Sequence, residues 1–309
     1  MRYFGSMWQP DPGWLVLPGG TGPSTLGVWR TVVGQEPVVV KRLGAPGAYE
    51  PTELSRRHHF AYWRRAADVA TSGLLEDTPG MIGARTDVTE DSDGITLTTD
   101  WVEDAANSGL FAALAMGRFA GADLGGVRWL ARDQFRDRMA RVEYNGGWPT
   151  MMRTTAADIA HTLWERRRHF TDILDTLPQV AQHGDPAPQN LLGRTDDGER
   201  LIAIDWSSLG HGPVGGDLGL YLLHARESFE PLLEAYVLGL PEGLATREEV
   251  SLGAQISAVY TALSRAEWAL SRITPGEGPL LAKFRHPAVA PHLRTLQKQA
   301  ALVEALLEL

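Results

Sequence analysis

Between residues 14 and 43 the apolar positions come in short β-branched runs, "WLVLP", "VWRTVV" and "PVVVKRL", separated by glycine and proline. Runs of this length, bounded by turn formers, predict an antiparallel meander. "ITLTTDWV", 95–102, alternates apolar and polar positions and predicts one more strand, leading into a linker. From Thr52 to about Leu75 the pattern turns helical, with Pro51 before it and Gly73 near its end. Beyond about residue 105 helical patterns dominate, over 110–124, 155–177, 252–270 and 293–309. The leucines of the last segment recur at helical spacing and predict a packing face. One island interrupts the helices: "NLLGRTDDGERLIAIDW" is two apolar runs around an Asp-Asp-Gly turn, a hairpin signal. The pattern therefore predicts an α+β chain of two lobes. Residues 1–102 form a small β-rich N-lobe, and residues 103–309 a large helical C-lobe that carries one hairpin.

Composition narrows the function. At 309 residues and 43% hydrophobic, the chain can bury a substantial core. Cysteine is absent, which excludes disulfides and thiolate metal sites and fits a reducing compartment. The N-terminal stretch lacks the layout of a secretory signal, and no apolar run approaches the roughly 20 residues that span a bilayer. The expectation is a soluble cytoplasmic protein without a membrane partner. A formal net charge of -9, from 29 basic and 38 acidic residues, argues against a nucleic-acid partner, which would need a basic face. Only Lys41, Lys283 and Lys298 are lysines, so each one in this arginine-rich chain invites a chemical question.

The candidate chemistry lies in "HGDPAPQN", 183–190, where two prolines hold a rigid loop ahead of the hairpin. The hairpin returns the chain to its starting edge, so Asp205, at its far end, is expected beside Asn190. An amide and a carboxylate there are hard oxygen donors suited to Mg²⁺. Asp185, five residues before Asn190, is left to orient and deprotonate a hydroxyl.

A catalytic Asp, four residues, a metal-binding Asn and a later metal-binding Asp form a kinase signature. With "HGDPAPQN" and "IDW" in place of the protein-kinase versions, the chain resembles the aminoglycoside phosphotransferase family. "YWRRAADVATSGLL", 62–75, and "IDWSSLGHGPVGGDLGLYL", 204–222, extend the resemblance over most of the chain. It implies a protein-kinase-like fold and an ATP-dependent phosphotransferase, with ATP and Mg²⁺ as cofactors and a hydroxyl as acceptor. Asp185 would be the base, and Asn190 and Asp205 the metal ligands. Lys41, at the end of "VVVK", would bind the α- and β-phosphates. The Gly-rich segment 19–27, with Gly20, Gly22, Ser24 and Thr25, would lie over them. Adenine would sit against backbone at Trp101, Val102 and Glu103. His183 would brace the loop, and Asp217 would tie its backbone amides together. Related bacterial proteins commonly read "YWRREA" where this chain reads "YWRRAA", so Ala66 stands where a glutamate should hold Lys41.

The acceptor could be an aminoglycoside, another antibiotic, a sugar or a metabolite, or a Ser/Thr of a small biosynthetic peptide. Its pocket is expected between 106–175 and the C-terminal helices, with Glu227, Glu230 and Glu267 as candidates to read a cation. Ala66 also allows a catalytically weak, kinase-shaped binding or scaffold protein. A metal-dependent hydrolase built on His183, Asp185, His211 and His224 lacks ligand spacing.

Overall fold

A computed structural model of the chain describes residues 8–18, 22, 24–48, 50–148, 155–271, 287 and 289–308. The N-terminal pattern folds into a five-stranded antiparallel sheet. Its strands are β1 (Leu15–Val16), β2 (Thr25–Val33), β3 (Glu36–Gly44), β5 (Thr86–Asp91) and β6 (Gly94–Asp100), in the order β1-β2-β3-β6-β5. β3 is central and places Lys41 opposite Val28 on one side and Leu97 on the other. Because side chains alternate across a strand, Lys41 shares its face with Leu43. That face is where Leu43, Ala67, Ile95 and Leu97 form a small core with helix α1 (Arg65–Ser72). Trp8 and Trp14 pack around Trp29, with ring centroids 5.3 and 6.2 Å from it.

The hairpin is β8 (Leu191–Arg194) with β9 (Leu201–Ala203), and β4 (Met81–Gly83) adds to β9 in parallel. β7 (Gln179–Gln182) pairs with β10 (Gly210–Pro213), so the chain entering the 183–190 loop lies beside the chain leaving the hairpin. The linker is fastened to β8. The Asn107 side-chain amide donates to the carbonyls of Leu191, Leu192 and Gly193, and the Ala105 N–H also donates to that of Leu192.

The helical part comprises α2 (Gly109–Phe119), α3 (Gln134–Tyr144), α4 (Thr155–Glu165), α5 (Arg167–Thr176), α6 (Gly216–Leu222), α7 (Phe229–Gly239) and α8 (Arg247–Ser271). Two shorter helices follow, Ala290–Lys298 and Ala300–Leu307. α8 is buried on most of its circumference, which explains its small-residue, weakly amphipathic sequence. No helix among the described residues is long and apolar enough to cross a membrane.

Three helices expected as continuous are broken. The segment 155–177 is interrupted at Arg166, and the C-terminal one at Gln299. The third break is the largest: in place of one helix over 52–75 there is a 3₁₀ turn, Thr52–Ser55, then irregular chain up to α1. Arg65 is the reason. Its side chain is fully buried, and its hydrogen bonds among the described residues all go to backbone. It donates to five backbone carbonyls: Arg57 (2.8 Å), His59 (2.7 Å), Phe60 (2.9 Å), Trp129 (2.7 Å) and Ser207 (2.9 Å). Three of them lie in the irregular segment, where they accept from the guanidinium instead of from helix N–H groups. Burial pushes the Arg65 pKa down to about 10, so the group stays charged at neutral pH.

Arg65→Met should strand four of these carbonyls, since that of His59 also accepts from the Tyr62 N–H at 2.9 Å. An unsatisfied buried acceptor costs ~1–3 kcal/mol, so the expected loss is at least ~3 kcal/mol in total. Arg65→Lys, with three donors against five, should recover only part of it. Thermal unfolding checks both; an unchanged Tm for Arg65→Met would show that the carbonyls find other partners.

Candidate active site

The 183–190 loop starts where β7 ends. Gly184 adopts φ 82°, and a Cβ there would collide with the Ser208 carbonyl, so the position requires glycine. Asp217, in the first turn of α6, accepts from the His183 N–H at 2.7 Å and the Gly184 N–H at 2.9 Å. Burial lifts the Asp217 pKa to about 6, against the pull of His183 and these two amides. The His183 ring lies 4.4 Å from that of Trp206. Its Nε2 donates to the Ile204 carbonyl at 2.9 Å, so the proton sits on Nε2, and Nδ1 accepts from the Asp185 N–H at 3.2 Å. One imidazole thus couples the loop to the end of the hairpin.

Asn190 closes the loop. Its side-chain N–H donates to the Asp185 carbonyl at 2.9 Å, and its own carbonyl accepts from the Ile204 N–H at 2.9 Å. Asp205 lies two residues beyond β9 in the left-handed region (φ 58°, ψ 56°), which turns the chain out of the strand. Its Oδ1 accepts from Lys41 Nζ at 2.8 Å, the two side chains being 35% and 16% exposed. Burial alone would raise the Asp205 carboxyl; the Lys41 ammonium outweighs it and holds the group below the ordinary carboxylate range.

Lys41 thus takes its carboxylate from the hairpin, not from α1. Ala66 instead packs against the small core under the sheet, and Asp68 pairs with Arg64 at 3.0 Å. Gly20 lies outside the described residues. Gly22 and Thr25 form a turn (Thr25 N–H to the Gly22 carbonyl, 3.0 Å), and the Ser24 carbonyl accepts from the Gly44 N–H at 2.8 Å. Among the described residues the buried Ser24 hydroxyl has no hydrogen-bond partner. At the linker, the Trp101 N–H is already committed to the Pro37 carbonyl at 3.0 Å. The Trp101 ring carries Arg30 at 4.0 Å and donates its Nε1–H to Glu103 at 2.8 Å, while Val102 packs over Gly193.

The structure adds a residue absent from the motif. Arg265, on α8, donates to Asp185 Oδ1 at 3.1 Å and to His224 Nε2 at 2.9 Å. Its only sequence signal is a charge inside the run "AVYTALSRAEWAL"; its partner lies 80 residues away. The acidic candidates are engaged elsewhere. Glu227 accepts from the Gly109 N–H at the start of α2 (2.8 Å), and Glu230 pairs with Arg247 at 2.6 Å. Glu267 is buried against the Asn145 amide, with its pKa lifted by burial to about 7. Among the described residues no group of three or more His, Asp or Glu side chains is arranged to hold a metal, which leaves the hydrolase reading without a site.

The architecture recurs in solved structures. Choline kinase LicA from Streptococcus pneumoniae superposes with a TM-score of 0.58 at 11% identity, over 94% of this chain and 95% of that one. The GDP complex of aminoglycoside 2'-phosphotransferase-IIIa gives 0.61 at 10% identity, over 93% and 92%. Amicoumacin kinase hAmiN, solved with AMP-PNP, Ca²⁺ and Ami, gives 0.57 at 10%, over 93% and 88%. These likenesses establish the kinase-like α+β fold. No match was found among curated proteins. The family model described as the phosphotransferase enzyme family matches residues 16–250, which include Lys41, the 183–190 loop, the hairpin and Asp217; the chain belongs to that family.

Proposed function

We propose that this chain transfers the γ-phosphoryl group of ATP to a hydroxyl of a small molecule. In this reading residues 1–102 form the nucleotide lobe and residues 103–309 the catalytic loop and acceptor site. The observation that carries it is the Lys41–Asp205 contact of 2.8 Å. It joins the central strand of the sheet to the end of the hairpin, next to a loop that presents Asp185 and Asn190. A lysine, two carboxylates and an amide from three segments have no packing reason to meet. They do suit a polyphosphate and its counter-cation.

Asn190 and Asp205 would hold Mg²⁺. The pair fits that ion because it is all oxygen and sparse, and Mg²⁺ prefers to keep waters and phosphate oxygens in its shell. Lys41 keeps Asp205 ionised, the state in which a carboxylate binds a cation. When bound, the metal offsets charge on the transferring phosphoryl group. The acceptor oxygen forms a bond to the γ-phosphorus, the bond from that phosphorus to the β,γ-bridging oxygen breaks, and ADP leaves with the electron pair. Asp185 accepts the hydroxyl proton. His183 and Asp217 act by fixing the loop, so the rate arises mainly from positioning. Ala66 gave the one ground for a non-catalytic reading, and Lys41 has a carboxylate partner without a glutamate at that position.

Incubation with ATP, Mg²⁺ and a panel of hydroxyl compounds should yield a product heavier by one phosphoryl group. Asp185→Asn should lower the transfer rate by ~10²–10⁴ and leave nucleotide affinity close to wild type. A variant retaining half the activity would remove Asp185 from the chemistry. Ligands that bind only the folded state raise Tm, so ATP with Mg²⁺ should stabilise more than either alone. Asp205→Ala should abolish most of the metal-dependent increment and Asn190→Ala a smaller part. Calorimetry showing ATP binding with no Mg²⁺ dependence would refute the metal assignment.

A further inference from the structure

The acceptor side of Asp185 is basic. Arg265 reaches it from α8, and His224 fixes the other end of the guanidinium. Arg138, on α3, lies within electrostatic range of both Arg265 and Asp185. His292, on the helix Ala290–Lys298, feels Arg265, and His224 feels both Arg265 and His292. Burial and the neighbouring Arg265 push both imidazoles below their ordinary value, so they add polar atoms but no charge at neutral pH. Among the described residues, Arg265 is the guanidinium in contact with Asp185, and Arg138, stacked over the Phe60 ring at 4.7 Å, adds a second positive charge within electrostatic range. Asp137, next to Arg138, is turned to the Phe60 N–H at 3.2 Å. Glu227, Glu230 and Glu267, the carboxylates that might have offset the excess, are committed to Gly109, Arg247 and Asn145.

We infer that the acceptor carries a carboxylate or a phosphate close to the hydroxyl that is phosphorylated, and that Arg265 receives this anion. The inference rests on the phosphotransferase reading above and names its substrate class. Arg265 holds Asp185 through Oδ1, which leaves Oδ2 to the hydroxyl. Once the proton has moved onto Asp185 the carboxyl is neutral, and the guanidinium loses its counter-charge in a partly buried site. An acceptor anion restores it, and the planar fork of arginine matches carboxylate or phosphate geometry. His224 accepts from Nη1 and leaves the Nη2 edge, 3.1 Å from Asp185, for the exchange. The short distance sets the spacing: anion and hydroxyl must lie within a few bonds of each other. A polycationic acceptor would meet like charge at the same place, a mismatch that disfavours the wrong partner.

The test pairs acceptors of similar size that differ in charge: glycerate with glycerol, and glucose 6-phosphate with glucose, with choline and kanamycin as cations. ADP release is followed with saturating ATP and Mg²⁺. The expected result is a kcat/KM at least tenfold higher for the anionic member of a pair. Which anion gains more, glycerate or the sugar phosphate, distinguishes carboxylate from phosphate. Arg265→Gln should collapse the ratio within a pair towards one, chiefly through KM for the anionic member. Arg265→Lys, which keeps the charge but loses the fork, should retain part of it. Transfer to choline or kanamycin as fast as to the anions, or an anionic preference that survives Arg265→Gln, would overturn the inference and leave the phosphotransferase reading standing. Calorimetry of ATP with Mg²⁺ on the same preparations separates the two, because loss of nucleotide binding would remove that reading and the inference with it.

Discussion

Five backbone carbonyls converge on the Arg65 guanidinium, and the spatial relation between the sheet and the catalytic loop depends on that convergence. Trp129 and Ser207 come from the helical part; Arg57, His59 and Phe60 come from the segment before α1. Ser207 is two residues from Asp205, so the same guanidinium that anchors α1 under the sheet also anchors the chain just past the hairpin. Burying a charge is expensive unless every donor is satisfied. Arginine has five donors in one plane, and here all five have partners of the same kind. A lysine ammonium has too few donors for this cluster, and a carboxylate partner would compete with the carbonyls the group has to hold.

From that anchor the site is assembled by pairs that span long stretches of chain. Lys41 meets Asp205 across 164 residues, and Arg265 meets Asp185 across 80. Each carboxylate is oriented by a cation from a different layer of the fold. The loop between them is held by neutral contacts, through His183 and Asn190, and by one buried carboxylate, Asp217. This division is physically sensible. Asp185 is the one carboxylate inside the loop, and hydrogen bonds to the backbone around it fix geometry while adding a single further charge, that of Asp217.

The parts legible in the sequence are those whose partners are near in sequence or whose period is strong. The meander over 25–44 and the hairpin over 191–203 follow from β-branched runs and turn residues, and Asp185 and Asn190 sit in one short motif. Arg65 and Arg265 were not legible for the same reason in two forms. Arg65 binds main-chain carbonyls, which every residue carries, so its partners leave no mark on the sequence. Arg265 has a side-chain partner, but only the packing of α8 against the loop brings the two together. The helix expected over 52–75 failed at the point where a side chain took over the carbonyls that helical N–H groups would have used. Ala66 removes the glutamate expected to hold Lys41 without naming a substitute, and the three-dimensional fold supplies Asp205.

Under the proposed function, chemistry and selectivity lie on different parts of the chain. Asp185, Asn190 and Asp205 belong to two short segments joined by a hairpin, the arrangement on which the proposed phosphoryl transfer relies. Arg265 sits on a long, mostly buried helix and contacts Asp185 directly. Neutralising the charge at that position would leave the hairpin and the sheet in place while removing the positive charge that contacts Asp185. On that proposal the fold can keep one reaction and change its acceptor through α8, because the helix touches the proposed base but carries none of the groups proposed to hold the nucleotide.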